Sequence, residues 1–124
     1  FNFRFSPEST EESLKSKFEA LLKELDLNYS ITWDLNGLPY YTKNNFFKNI
    51  VSNSVQEVAG YTPEFNAKGG TSDGRFVAKM NTEIIELGPV NKSIHQIDEH
   101  VKISELFTLK EIYTKILTKV NQAS

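Results

Sequence analysis

The apolar residues of this chain change period along its length, and this change limits the possible folds more than any other feature. Phenylalanines alternate with polar residues over residues 1–5, and a second alternating stretch over residues 29–35 runs up to an Asn36-Gly37 turn signal. These period-two patterns predict half-buried strands, and residues 83–87 are typical of a buried strand. Helical patterns alternate with them. The sequence therefore predicts an α/β fold.

Three amphipathic helices are expected from apolar residues at helical spacing, over residues 14–25, 47–58 and 106–120. Each has residues suited to its ends: Ser9 and Glu12 as a capping box for the first, Asn44 and Gly60 as the start and stop of the second, and Ser104 as the N-cap of the third. A change of pattern near residues 39–42 is the best candidate for a domain boundary.

Composition excludes several classes of function. The chain has 124 residues, enough for one ordinary domain, and its formal net charge of −2 argues against a nucleic-acid partner. No apolar run approaches the roughly 18 residues of a membrane span, so we expect no membrane partner. The absence of cysteine rules out thiolate metal sites and fits a cytoplasmic protein. Phe1 opens the chain inside an alternating pattern, which suggests a piece of something longer.

Two histidines are the only imidazole ligands, and they lie in the polar stretch NKSIHQIDEHV. If that stretch were helical, His95, Asp98 and Glu99 would share a face, which is a loose form of metal-ligand geometry. The alternative is a pair of surface histidines in a polar turn. Either way, one ligand or part of a site is the most that this segment offers.

A glycine-rich segment, GGTSDGR over residues 69–75, precedes a short helical pattern over residues 76–80. Thr71 or Ser72 would serve as its N-cap on the simplest interpretation. On the functional interpretation, backbone N–H groups and small hydroxyls at a helix start bind an anion. Neither nucleotide-binding glycine motif is present, so a carboxylate is favoured over a nucleotide. A serine-histidine-aspartate triad has no nucleophile elbow to support it.

Three segments together carry a family resemblance: FNFRFS, GGTSDGRF and ELGPVNKSIHQIDEHV, in this order. The chain resembles the C-terminal third of the succinyl-diaminopimelate desuccinylase family, which belongs to the dinuclear-zinc amidohydrolases and exopeptidases. The resemblance implies an α+β piece of an inserted dimerisation domain over residues 1–42, followed by the C-terminal part of a zinc-exopeptidase-like α/β catalytic domain over residues 43–124.

The resemblance also implies roles for individual residues. His95 matches the last zinc ligand of the family, within a pattern that includes Gly88, Pro89 and Asn91. Positions that match substrate-binding residues of the family are Arg4, Gly70, Thr71, Ser72 and Asn91. The family's general base and its other zinc ligands match nothing in this chain, so no catalytic residue is assigned.

The reaction implied by the resemblance is zinc-dependent removal of succinate from N-succinyl-LL-diaminopimelate, in bacterial lysine and diaminopimelate synthesis. The parent would hold two zinc ions per active site, with cobalt as a possible substitute, and would dimerise through the inserted domain. The chain alone is predicted to be inactive. Two alternatives stay open: a non-catalytic interaction or dimerisation module, and a fragment of a related amidohydrolase such as acetylornithine deacetylase.

Overall fold

The protein is described by a computed structural model that covers residues 1–67, 72–90 and 92–123. The chain forms two compact units. Unit 1 comprises Phe1–Tyr41 and Ala67–Ile84, and unit 2 comprises Thr42–Asn66 and Ile85–Ser124. This grouping reflects spatial contacts within the chain, and the division into 1–42 and 43–124 stays a prediction about the parent protein.

Unit 1 begins with helix α1, Glu11–Glu24, whose start differs by one residue from the predicted capping box. Thr10, not Ser9, is the N-cap: its Oγ1 accepts the Ser13 N–H at 3.1 Å, and the Ser13 hydroxyl accepts the Thr10 N–H at 3.1 Å. Serine thus replaces the expected glutamate as the reciprocal partner. Glu12 instead has a pKa below its ordinary value, because its carboxylate is held by its own backbone N–H and by Thr10.

An aromatic cluster, defined as Phe1, Phe3, Phe18 and Trp33, packs beside α1. The Phe3 and Phe18 rings meet edge to face with centroids 5.5 Å apart, and Phe18 meets Trp33 in the same way at 5.8 Å. The indole N–H of Trp33 donates to the Glu19 carboxylate at 3.0 Å. Phe1 remains 89% exposed, and no side chain described in unit 1 is fully buried.

The predicted helix after the glycine-rich segment is confirmed and begins two residues earlier than expected. It consists of α3, Gly74–Val77, and a 3₁₀ turn, Ala78–Met80. The turn ends at Asn81, which adopts the left-handed conformation with φ 56°. Asparagine tolerates this region better than most residues, so it can end the helix where a glycine is absent.

Unit 2 is built on two helices that pack against each other, α2 (Asn45–Ala59) and α4 (Ile103–Ala123). The predicted ends of α2 are confirmed. The Asn44 side chain accepts the Phe46 N–H at 2.8 Å, and Gly60 ends the helix at φ 78°. That left-handed conformation is unfavourable for a residue with a Cβ, which explains the glycine.

Aliphatic side chains from both helices form the core of unit 2. Its buried members are Ile50, Val51, Val55, Ile112 and Ile116. Ser54 is also fully buried, and its hydroxyl donates to the Ile50 carbonyl at 2.7 Å, so its polar atom is satisfied within α2. Helical spacing is therefore a correct guide to the buried face of α2; on α4 the predicted stripe takes in Leu117, which is 68% exposed, and leaves out the buried Ile112.

Helix α4 starts before its predicted N-cap. Ser104 lies inside the helix, and its carbonyl accepts the Thr108 hydroxyl at 3.2 Å, so the N-cap prediction is wrong. Farther along, Lys115 and Lys119 hold the Glu57 carboxylate of α2 at 2.8 and 2.6 Å. These hydrogen bonds lower the Glu57 pKa from 4.5 to about 2.

The segments predicted as strands form no regular secondary structure, and no β-strand is formed within residues 1–67, 72–90 and 92–123. A strand requires a hydrogen-bonded neighbour, and period-two patterning alone does not supply one. The α/β class therefore stays a prediction. None of the described helices combines the length and apolar character needed to cross a bilayer.

Candidate functional site

Ser72 is the first described residue of the glycine-rich segment; Gly70 and Thr71 lie outside the described residues. The Ser72 hydroxyl accepts the Gly74 N–H at 2.9 Å, at the start of α3. The N-cap itself is Asp73, whose side chain makes no capping hydrogen bond, so Ser72 is not the N-cap. Its hydroxyl nevertheless satisfies one N–H of the helix start, and it retains a proton that it can donate.

Arg75 was not singled out by the sequence, yet it links two parts of unit 1. Its Nη1 donates to the Asn36 carbonyl at 3.2 Å, and its guanidinium lies 4.7 Å from the centre of the Phe76 ring. A Cβ at Gly37 would come within 3.2 Å of the Arg75 Cδ, so glycine suits this close approach. The sequence signals both the Asn36-Gly37 turn and the Asp-Gly-Arg segment, but not their contact.

Arg4 lies on the exposed surface of unit 1, between two phenylalanines of the first segment. Phe3 turns towards the aromatic cluster, with its ring 6.1 Å from Trp33 in a stacked arrangement. None of the ion pairs and hydrogen bonds found between described residues involves the Arg4 guanidinium. A guanidinium in this position can form a bidentate pair with a carboxylate from a ligand.

His95 lies in unit 2, on the exposed surface of a turn. The helix that would have aligned His95 with Asp98 and Glu99 does not form. Both His95 and Asp98 adopt left-handed backbone conformations, with φ 60° and 62°. Across residues 1–67, 72–90 and 92–123, no three His, Asp or Glu side chains lie close enough to hold a metal ion. His95 therefore offers one imidazole ligand, which fits a partial donor set only.

The segment that leads to His95 is anchored to α4. The Tyr113 hydroxyl donates to the Leu87 carbonyl at 2.6 Å, just before Gly88 and Pro89. Residues 85–89 and Tyr113 line an open cavity of about 520 Å³. Asn91, predicted to bind substrate, lies outside the described residues. The anchoring tyrosine was missed because its apolar helical spacing indicates only a core-facing residue.

Arg4 and Ser72 thus belong to unit 1, whereas His95 belongs to unit 2. The chemistry available in unit 1 is a cationic guanidinium and a hydroxyl, both suited to a carboxylate. The chemistry available in unit 2 is an exposed imidazole suited to a metal ion.

Comparison with known proteins identifies the family. The profile of peptidase family M20/M25/M40 matches residues 4–119. The chain belongs to this family. Its similarity to three curated relatives covers 97% of the chain. It is 46% identical over 120 residues to the succinyl-diaminopimelate desuccinylase of Methylibium petroleiphilum. It is 47% identical to the proteins of the same name from Buchnera aphidicola and Pseudomonas syringae.

The aligned region covers only part of those relatives. The chain spans 31% of the length of the Methylibium protein and 32% of the other two. The identity of 46% extends over 120 residues and so takes in both units. The family match, residues 4–119, includes Arg4, Ser72 and His95.

Proposed function

We propose that this chain is the C-terminal part of a zinc-dependent hydrolase that removes succinate from N-succinyl-LL-diaminopimelate in bacterial lysine synthesis. The observation that carries the proposal is the 46–47% identity, over 97% of the chain, to proteins named for this activity. The exposed imidazole of His95 and the exposed guanidinium of Arg4 support it, because both are available to groups outside the chain.

In this proposal His95 is one zinc ligand. A neutral imidazole is a good zinc donor, and the exposed ring of His95 can reach a metal held jointly with other ligands. Zinc in such hydrolases activates the amide carbonyl and a bound water. The described residues offer no second and third ligand beside His95, so the remaining ligands and the general base would come from the rest of the parent. We therefore expect the 124-residue chain alone to be inactive.

Substrate recognition falls to the residues of unit 1 and to the glycine-rich segment. Arg4 would hold a substrate carboxylate through paired N–H donors, which a lysine cannot reproduce. Ser72 would donate its hydroxyl proton, because its oxygen already accepts the Gly74 N–H. Gly70, Thr71 and Asn91 complete the proposed substrate-binding set, with small residues that allow backbone donors to approach the substrate.

The parent is also proposed to be a cytoplasmic homodimer that pairs through an inserted domain, to which residues 1–42 would contribute. Its catalytic domain would have an α/β fold that includes residues 43–124. The exposed rings of Phe1 and Phe3 are compatible with a surface that packs against further structure.

The test is hydrolysis by the full-length product of the source gene, with N-succinyl-LL-diaminopimelate and N-acetylornithine as competing substrates. We expect a kcat/KM about 100-fold or more higher for the succinyl substrate than for the acetyl substrate. The succinyl group carries a carboxylate that the acetyl group lacks, so the polar groups that bind this carboxylate would have no partner in the acetyl substrate. The 124-residue chain serves as the inactive control. Preference for the acetyl substrate would point to a related amidohydrolase, and failure to hydrolyse either would refute the proposed activity.

A further inference from the structure

The loop that carries His95 is closed by a single serine side chain. Ser93 is only 9% exposed. Its hydroxyl donates to the His100 carbonyl at 2.8 Å and accepts the His100 N–H at 3.0 Å. One hydroxyl therefore satisfies both backbone groups of a residue seven positions away. We call this pair of hydrogen bonds the Ser93 clasp.

The loop inside the clasp is held in an unusual conformation. His95 and Asp98 both have positive φ, which is uncommon for residues with a Cβ, although histidine and aspartate adopt it more readily than most. Further contacts tighten the loop on both sides of His95. The Gln96 N–H donates to the Ser93 carbonyl at 3.1 Å, and the His100 Nδ1 lies 2.7 Å from the Asp98 carbonyl oxygen.

These contacts use backbone groups around His95 and not its ring. Among the hydrogen bonds between described residues, those of the loop leave the imidazole of His95 unengaged and exposed. The backbone of the loop therefore sets the direction of the His95 Cα–Cβ bond, and with it the region of space that the ring can reach. That backbone is fixed where Ser93 closes it on His100.

We propose that Ser93 is a positioning residue for His95: its hydroxyl closes the loop and so fixes the direction in which the imidazole is presented to a metal ion. The inference rests on the proposed function, in which His95 is a zinc ligand. A hydroxyl is required because the clasp needs a donor and an acceptor on one atom. Alanine offers neither, threonine keeps both, and valine matches the volume of threonine without them.

The consequence is a weaker metal site when the clasp is removed. Groups that orient a metal ligand without touching the metal commonly change its affinity 10- to 100-fold when they are replaced. We expect a loss of about that size for cobalt in Ser93→Ala, because His95 would then sample directions that do not reach the metal. Ser93→Val should behave like the alanine variant, and Ser93→Thr should stay close to wild type.

The experiment measures cobalt binding to the full-length product of the source gene, by competition with a chelator and by the visible spectrum of the bound ion. Wild type, Ser93→Ala, Ser93→Val, Ser93→Thr and His95→Ala are compared, with the exposed Ser16→Ala as a matched control. Circular dichroism of each metal-free protein checks that it is folded. If the alanine variant does not fold, the isosteric threonine and valine variants decide the question.

The outcomes separate the two claims. A loss of affinity in His95→Ala, Ser93→Ala and Ser93→Val, with Ser93→Thr and Ser16→Ala unchanged, supports the positioning role. A loss in His95→Ala alone, with the folded Ser93 variants within about twofold of wild type, overturns the role of Ser93 and leaves the proposed function standing. Unchanged cobalt binding in His95→Ala overturns the ligand assignment and, with it, the role of Ser93.

Discussion

Unit 2 encloses an aliphatic core between two long helices, whereas unit 1 relies on an aromatic cluster that stays partly exposed. In unit 2, side chains such as Val55 are removed completely from solvent. In unit 1, ring contacts at 5.0–6.1 Å hold Phe1, Phe3, Phe18 and Trp33 together without burying any of them fully. Burial of apolar area dominates folding energy, so most of the stability of the isolated chain should reside in unit 2.

The core of unit 2 gives the largest expected effect. Ile112→Ala should lower the free energy of unfolding by about 2–5 kcal/mol, because it removes buried methylene groups and leaves a cavity between α2 and α4. Leu117→Ala, on the same helix but 68% exposed, is the matched control and should change stability little. Urea unfolding followed by circular dichroism measures both. Equal losses in the two variants would contradict the assignment of the core.

The aromatic cluster should give a smaller effect that is confined to unit 1. Phe18→Ala is expected to cost about 1–3 kcal/mol, less than a core phenylalanine, because its ring is only half-buried. Trp33 is the only tryptophan in the chain, so its fluorescence reports on unit 1 alone. The fluorescence transition should move to lower urea, while the larger part of the circular dichroism transition, which comes from α2 and α4, stays in place. The exposed Lys17→Ala is the control; a joint shift of both signals in Phe18→Ala would show that the two units unfold together.

Helix ends offer a matched pair of changes, one in each unit. Gly60→Ala in unit 2 should cost about 1–2 kcal/mol, because alanine is strained at φ 78°. Thr10→Ala in unit 1 should cost about 1 kcal/mol, through loss of the capping box. The loss in Thr10→Ala should appear in the fluorescence of Trp33, and the loss in Gly60→Ala should appear in the circular dichroism, to which α2 and α4 contribute most. A Gly60→Ala variant as stable as wild type would mean that α2 can end without the left-handed residue.

The ion pairs of Glu57 should have the smallest effect and a defined pH range. The pKa of Glu57 is lowered from 4.5 to about 2 by hydrogen bonds from Lys115 and Lys119. A depressed pKa stabilises the folded state above the unfolded value, and this contribution is lost as pH falls from about 4.5 to about 2. Glu57→Gln should therefore flatten the acid unfolding curve of unit 2 in this range. High salt should reduce the difference, because the pair is exposed and screened.

Sequence patterns identify the helices of unit 2 and most of its core, without the buried Ile112, but only part of unit 1. The apolar stripes of α2 and α4, and the glycine that ends α2, follow from local rules that act within a few residues. The alternation over residues 1–5 also predicts that Phe3 packs against other apolar side chains, and its ring does contact that of Phe18. It does not establish a strand, because strand formation depends on a neighbour that the pattern does not name.

The candidate site divides in the same way. His95 and Arg4 are found through a family resemblance, and their exposure agrees with an outward role. The Ser93 clasp and the hydrogen bond from Tyr113 to Leu87 were missed. The clasp joins residues 7 positions apart, and the Tyr113 bond joins residues 26 positions apart. Hydrogen bonds of this kind depend on the folded path of the chain, and a serine in a polar loop carries no mark of its partner.

The central claim is that His95 supplies a zinc ligand to a larger hydrolase, and zinc content tests it most directly. The full-length product of the source gene, its His95→Ala variant and a control variant at the exposed Lys102, Lys102→Ala, would be purified and measured by elemental analysis. The proposed function predicts that wild type and Lys102→Ala bind the same amount of zinc, and that His95→Ala loses about one zinc ion per subunit. Full zinc content in a folded His95→Ala variant would contradict it.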